Sequence, residues 1–364
     1  MFTAVSSATA IAESVSLVER ESVGASCSSI QRLRRRQVAP HAGATAFVFS
    51  GGGARGALHV GALRALLEAG IHPDMLVGTS VGAWNAAWLA HAPTLDGVEA
   101  LADIWRRLHT DQILLGQRRS FWSRARALPG LLLLAALRRI AGGCSSLYSD
   151  TGLRRLLSQR FADLAFEDLD LPLSVIATDL SRGGRAVFQH GTIVDALLAS
   201  SAIPGVFPPV SIDGALYADG GIVDGCSVET AIELGARRIF ILAIGYDAEA
   251  GDGALWAQAS EQATAADRGA PRRSAPSAPS VLQRASQVMG NYQIQRALER
   301  MPLGIEAHLI SLSSGAGGTL SFGHVDELIE CAYQSTRIYL ENAYTRGSDD
   351  ARQLAEVSVS ALSA

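Results

Sequence analysis

The chain has 364 residues, enough to bury a sizeable core in one large domain or two small ones. Hydrophobic residues make up 48% and charged residues 18%, which suits a globular protein and argues against a disordered one. A formal net charge of −4, with arginine as every fixed cation because lysine is absent, excludes a global field that would draw the chain to nucleic acid or to an anionic membrane.

The first segment, residues 1–44, is rich in Ser, Ala and Val and then basic (Arg32, Arg34, Arg35, Arg36), with no sustained period, and reads as a flexible arm. It lacks a basic n-region and Glu13 interrupts its apolar stretch, so a cytoplasmic protein is expected. The apolar and aromatic run Ala46–Ser50 predicts a strand, and the helical spacing of Leu58, Ala62, Ala65, Leu66 and Ala69 predicts a helix over Ala54–Ala69 closed by Gly70. Met75–Gly78 reads as a second buried strand and Val81–His91 as a second helix. Residues 92–150, rich in Arg and Leu, predict a helical cap. Further strands are expected at Leu173–Thr178, Arg238–Ile244 and Ile305–Leu312, with helices at Asp195–Ser201, Val228–Gly235 and His324–Asn342. Residues 246–280, rich in Ala, Ser, Pro, Gly and Asp, read as a disordered insertion, and 346–364 as a tail. Strands alternating with helices predict an α/β domain over 45–345, with a mainly parallel sheet covered on both faces.

Four scattered cysteines (Cys27, Cys144, Cys226, Cys331) form neither a CxxC pair nor a metal spacing, so no disulfide framework, metal or cofactor is expected. The chemistry concentrates in glycine-rich junctions. Gly78-Thr79-Ser80-Val81-Gly82 is a GxSxG pentapeptide between a strand and a helix, where two glycines permit the turn that lifts a serine hydroxyl above the sheet edge. A small-residue turn with Ser80 as N-cap is the plain alternative. Gly51-Gly52-Gly53-Ala54-Arg55-Gly56 sits at the preceding junction. It lacks the Lys-Ser/Thr of a phosphate loop, and the strand after it carries no acidic residue of a dinucleotide site, so backbone donors facing a tetrahedral oxyanion fit better. Arg55 either adds charge there or covers the helix end. None of the eight histidines stands in a triad motif, whereas Asp219-Gly220-Gly221 places a carboxylate on a glycine-rich turn. An ordinary hairpin turn with a solvated Asp219 remains open on these residues alone.

In order along the chain stand FSGGGARGALHVGALRALLEAGI, GTSVGAWNA, ATDL (Ala177–Leu180) leading to Phe188, SSAIPGVFPPV and ADGGIVD. This set resembles the patatin-like phospholipase family over roughly residues 45–244. The resemblance implies a three-layer α/β/α fold and a Ser–Asp dyad without histidine, acting on acyl esters of lipids without a metal. Ser80 would be the nucleophile, Asp219 the base, and Gly51, Gly52 and Gly53 the oxyanion loop, supported by Gly78, Gly82, Gly220 and Gly221. The Ser200–Val210 run would shape the acyl channel. Asp179 reads as a turn-capping carboxylate, and His59 and Trp84 as packing residues.

The chain departs from the family just after Asp219. Where relatives carry asparagines and then a proline, it has Asp224-Gly225-Cys226-Ser227, expected to loosen the loop and to bring a second negative charge near Asp219. A lone carboxylate as base also predicts a rate plateau from about pH 6 upward, with no limb near the imidazole value. Two other classes stay in view: an acyltransferase using the same Ser80, and a catalytically weak lipid-binding scaffold. A lipid substrate is the expected partner. Peripheral membrane contact is expected through residues 118–140, where Phe121, Trp122 and Leu131–Leu134 lie among arginines.

Overall fold

The computed structural model describes residues 43–110, 113, 146, 148–246, 278–313 and 324–345. Nearly all of the expected arm and of the insertion, the tail, and the Phe121-Trp122 and Leu131–Leu134 segment lie outside the described residues.

The chain enters through β1 (Ala44–Phe49), turns through a short 3-10 stretch (Gly53–Gly56), and continues in α1 (Ala57–Glu68). The single helix expected over Ala54–Ala69 is therefore split, because Gly53 sits at φ +60° and opens a tighter turn before the α-helical ladder begins. At the far end Gly70 takes φ +72°, its N–H donating to Leu67 O and that of Ile71 to Leu66 O, the hydrogen-bond pair that a C′ glycine makes possible. Next come β2 (Met75–Thr79), α2 (Val81–His91), α3 (Leu95–Arg107) and α4 (Thr151–Phe161). Thr94 caps α3 by accepting the Gly97 N–H at 3.1 Å.

The second half contributes β3 (Leu173–Asp179), β4 (Gly184–Phe188), α5 (Ile193–Ser200), β5 (Val210–Ile212) and β6 (Ala215–Asp219). It ends with α6 (Val228–Glu233), β7 (Ala236–Ile244), α7 (Ala278–Glu299), β8 (Glu306–Leu312) and α8 (Val325–Thr345). Residues 278–280, assigned above to the insertion, open α7 instead; a proline is tolerated there because first-turn N–H groups have no helical acceptor.

The strands form one eight-stranded sheet. Pairings β3–β2, β2–β1, β1–β7 and β7–β8 are parallel, while β4 and β6 run antiparallel to β3, and β5 to β6. The fold is thus α/β with a mostly parallel central sheet. Side chains alternate between two cores. Phe47, Phe49, Phe240 and Leu242 pack with α1–α5 and α8 on one face, while Ala46, Val48, Ile239 and Ile241 pack with α6 and Ile294 of α7 on the other.

The antiparallel strands decide where the site forms. β4 occupies one edge of β3 over Val175–Asp179, so β6, which pairs with Ala177–Asp179, lies on the opposite edge, in line with β2. β2 and β6 therefore run toward each other along that edge and end beside neighbouring residues.

Candidate active site

Ser80 follows β2 directly and holds φ 55° and ψ −127°, a conformation that costs a non-glycine residue on the order of 1–3 kcal/mol. Its neighbours enforce the turn. A Cβ on Gly78 would stand 2.6 Å from the Ala83 Cα, and one on Gly82 would stand 2.5 Å from the carbonyl oxygens of Phe49 and Ser50. Both glycines of the pentapeptide are thus required by close backbone approach. The Ser80 N–H donates to Ser200 Oγ at 2.8 Å, and that hydroxyl donates to Ile176 O at 2.6 Å. Ser200, at the end of α5, anchors the elbow from below, a role that the double serine before Ala202-Ile203-Pro204 hinted at only as channel wall.

Asp219 ends β6 opposite Ala177. Its Oδ2 accepts a hydrogen bond from Ser80 Oγ at 2.8 Å and its Oδ1 one from the Gly221 N–H at 2.8 Å. The backbone is pinned as well: its N–H donates to Ala202 O, and Thr178 Oγ1 donates to its carbonyl oxygen at 2.8 Å. The carboxyl is buried rather than solvated. Burial pushes its pKa up to about 6, against the lowering effect of the bonds from Gly221 and Ser80. A serine hydroxyl bonded to a carboxylate that titrates near neutrality can surrender its proton to that carboxylate.

The glycine loop lies against this pair: a Cβ on Gly51 would come 3.5 Å from that of Ser80. Gly51 differs from expectation, because its N–H donates to Gly225 O at 2.9 Å and is not free to bind an oxyanion. Among the described residues no hydrogen bond engages the N–H groups of Gly52 or Gly53, and Gly53 opens the 3-10 turn, where N–H groups lack a helical acceptor. The Arg55 guanidinium lies over Gly245 at the end of β7, its Nε is buried without a partner, and burial lowers its pKa.

The loop after Asp219 is tied down, contrary to the expectation drawn from its missing proline and amides. Asp224 Oδ2 accepts from Ser227 Oγ at 2.5 Å and from Arg185 Nη1 at 3.2 Å, and its carbonyl accepts from Thr79 Oγ1 at 3.0 Å. Arg185 also donates to Glu233 at 2.9 Å. Asp224 is thus paired locally with Arg185 and Ser227, and the raised pKa of Asp219 follows first from burial. The amide missing from the loop arrives from α7. Gln293 Oε1 accepts the Gly225 N–H at 2.7 Å, and its Nε2 donates to Gly221 O and Ile222 O at 3.3 Å each. Gly225 is less a hinge than a clearance, since a Cβ there would stand 2.8 Å from Gln293 Oε1.

Behind the two junctions lies a second buried polar group. Asn85 Nδ2 donates to Gly56 O at 2.8 Å and lies 3.2 Å from His59 Nδ1, while Trp105 Nε1 donates to Asn85 Oδ1 at 3.0 Å. His59 Nε2 lies 3.2 Å from Leu242 O. Burial lowers the His59 pKa to about 3, so the ring is neutral. It packs as expected but also bonds. Trp84 likewise donates to Ser201 Oγ at 2.7 Å. Asp179 accepts from the N–H groups of Ser181 and Arg182 at 2.8 and 3.0 Å, as a turn-capping carboxylate does. Among the described residues no group of three His, Cys, Asp or Glu side chains could hold a metal ion, and no helix is long and apolar enough to cross a membrane.

A family model described as patatin-like phospholipase matches residues 47–232, half of the chain, and spans the glycine loop, Ser80 and Asp219. Patatin-like phospholipase domain-containing protein 7 of Rattus norvegicus is 30% identical over 204 residues, covering 56% of this chain and 14% of the rat protein. Lysophospholipase nte1 of Emericella nidulans is 26% identical over 322 residues, covering 84% of this chain and 18% of that protein. The chain therefore spans less than a fifth of the length of these curated relatives. The crystal structure of VipD from Legionella pneumophila superposes loosely, with a TM-score of 0.42 at 15% identity over 83% of this chain and 67% of that one.

Proposed function

The chain belongs to the patatin-like phospholipase family, and from that premise we propose that it hydrolyses acyl esters of phospholipids or related lipids with Ser80 as nucleophile and Asp219 as its base. The observation that carries the proposal is the 2.8 Å hydrogen bond from Ser80 Oγ to Asp219 Oδ2, made from a serine in a strained elbow against a buried carboxylate. The names of the relatives, phospholipase and lysophospholipase, support a lipid ester as the substrate class.

In this reading Ser80 Oγ attacks the ester carbonyl as its proton passes to Asp219 Oδ2. The carbonyl oxygen, now negative, faces the N–H groups of Gly52 and Gly53, with Gly51 holding the loop rather than donating. The intermediate collapses by expelling the alcohol, which takes the proton back from Asp219. A water molecule, deprotonated by Asp219, then attacks the acyl group on Ser80, and the intermediate releases the fatty acid as Asp219 returns that proton to Ser80 Oγ. Arg55 supplies positive charge along one side of the glycine loop. Cytoplasmic action, with membrane contact through residues 118–140, belongs to the same proposal.

The test is a panel of lysophospholipids, phospholipids and p-nitrophenyl esters assayed with the wild type and Ser80→Ala. Hydrolysis by the wild type that disappears in a folded Ser80→Ala variant supports the reading; equal rates in the two proteins overturn it. Product analysis with an added alcohol separates hydrolysis from acyl transfer.

A further inference from the structure

Gln293 stands 68 residues beyond Gly225 in the chain, on a helix outside the family-matched segment, yet it makes three hydrogen bonds to the loop that follows Asp219. From these bonds we infer that Gln293 is a positioning residue for the Ser80–Asp219 pair, setting the loop of the base and the glycine loop in one register. The inference rests on the reading of that pair as catalytic.

The connection runs in two directions from one amide. Through its oxygen, Gln293 holds the Gly225 N–H at 2.7 Å, and the carbonyl of the same Gly225 accepts the Gly51 N–H at 2.9 Å. The glycine loop is thereby fixed to the loop of the base. Through its nitrogen, Gln293 holds Gly221 O and Ile222 O, and the N–H of Gly221 is the one that bonds Asp219 Oδ1 at 2.8 Å. One side chain therefore constrains both the oxyanion donors and the orientation of the carboxylate. The helix that carries it is itself anchored, with Ile294 buried in the second core beside Cys226 and Val228. Gln293 has no bond to Ser80 or Asp219, so it acts through the two loops and not on the reacting atoms.

The surroundings separate this role from simple stability. Gln293 and Val223 help line an open cavity of about 300 Å³ that lies behind the loop and not over Ser80. If the amide is removed, the buried Gly225 N–H loses its acceptor, but the apolar contacts that hold α7 to the second core remain. Placement of the loop is lost while the fold is kept. An alanine at 225 would strike the same amide oxygen from the other side, displacing Gln293 without deleting it.

The experiment uses the full chain in four forms: wild type, Gln293→Met, Gly225→Ala and the double variant. Each single change lowers kcat about ten- to a hundredfold, as expected for a misplacement of ångström size, with KM within about twofold because neither residue touches the acyl chain. The double variant falls no further than the worse single one, since both changes break the same contact. The acidic limb of the pH profile moves up in Gln293→Met, because a mispositioned Gly221 N–H no longer lowers the pKa of Asp219. Hydrogen exchange quickens at the amides of Gly51 and Gly225 whether or not the protein is turning over substrate. Unchanged kcat and pH limb in folded Gln293→Met, or losses that multiply in the double variant, overturn the inference. If Ser80→Ala keeps the wild-type rate, the catalytic reading fails and takes this inference with it. If Ser80→Ala is silent and Gln293→Met is unaltered, only the inference fails.

Discussion

Ser80 and Asp219 meet because the residues that deliver them pair with consecutive positions of one strand: Thr79 lies opposite Ile176, and Asp219 opposite Ala177. β2 arrives in parallel and β6 in antiparallel fashion along the same edge of β3, so the two chains converge head to head. The sheet itself fixes the distance between the Ser80 hydroxyl and the Asp219 carboxyl, which loops alone would leave open. The same edge supplies the third contact, since Ile176 O receives the Ser200 hydroxyl that holds the Ser80 N–H.

Replacing Ser80 by Ala should remove ester hydrolysis by on the order of 10⁴-fold or more and abolish labelling by a fluorophosphonate, with an unchanged circular dichroism spectrum. The methyl side chain keeps the elbow and its positive φ. Ser80→Gly should be equally inactive yet melt higher, because glycine adopts φ 55° without strain worth on the order of 1–3 kcal/mol. A melting temperature for Ser80→Gly at or below that of Ser80→Ala would mean that the elbow stores no strain.

Asp219, with a pKa near 6, should give the rate an acidic limb centred at about pH 6, where a histidine would also place one. The plateau expected from pH 6 upward therefore begins higher, above the midpoint of this limb. The shape of the profile does not tell carboxylate from imidazole, but its temperature dependence does, since carboxyl groups ionise with little heat and imidazoles with much. Stability carries the opposite sign. The folded pKa of about 6 exceeds the ordinary 3.8, so the folded state holds its proton longer, and stability present below pH 3.8 is lost as the pH rises through 6. Asp219→Asn should consequently be inactive but more stable than the wild type above pH 7, by an amount of order 3 kcal/mol. Equal melting temperatures for the two proteins at that pH would show that the carboxylate is solvated in the folded protein.

Much of this was legible in the sequence, and the limits have physical causes. The buried parallel strands announce themselves as apolar runs, so β1, β2, β3 and β7 lie within two residues of their expected bounds, as does β8 at the sheet edge, where only Ile310 and Leu312 are buried. Short antiparallel strands do not: β5 has three residues, and β4 and β6 carry mixed faces that periodicity cannot distinguish from a loop. Gly78 and Gly82 are readable because close backbone approach leaves a local signature. Gln293 is not, because a glutamine on a helix looks the same whether it faces water or a loop 68 residues away. The tether on Gly51 is hidden for the same reason, as its acceptor is a backbone carbonyl with no residue type to betray it.

Among the described residues no histidine touches Ser80, and His59 is held neutral in the network with Asn85 and Trp105. Replacing the histidines one at a time by Gln should leave kcat within about an order of magnitude in every folded variant. Asn85→Ala is the damaging change in this network. It removes the buried amide that accepts the Trp105 N–H and bonds Gly56 O and His59, and should cost on the order of 2–4 kcal/mol, visible in denaturant unfolding. A loss below about 0.5 kcal/mol would mean that water replaces the amide.

The double change Asp224→Asn with Ser227→Pro would bring the loop closer to its relatives in type, yet the contacts predict that it harms this protein. Backbone geometry is no obstacle, because Ser227 already holds φ −78°, close to the value a proline ring imposes. The loss falls on the side chains. Ser227 Oγ bonds Asp224 Oδ2 at 2.5 Å, lies 2.7 Å from Thr230 Oγ1, and accepts from Arg185 at 3.3 Å, all of which a proline deletes. The Asp224→Asn change would also remove the negative charge that holds Arg185 between Asp224 and Glu233. Thr230 is buried, so its hydroxyl would lose a partner that water cannot easily replace. The expected result is a loss of roughly 2–4 kcal/mol in stability and a several-fold fall in kcat. The acidic limb should stay in place, because burial and not Asp224 sets the pKa of Asp219. Urea unfolding and a pH–rate profile on a short-chain ester measure the three quantities together. A rise in kcat would mean that Arg185, Ser227 and Gln293 do not hold the loop in solution, and that the family's proline and amides supply an order this chain lacks.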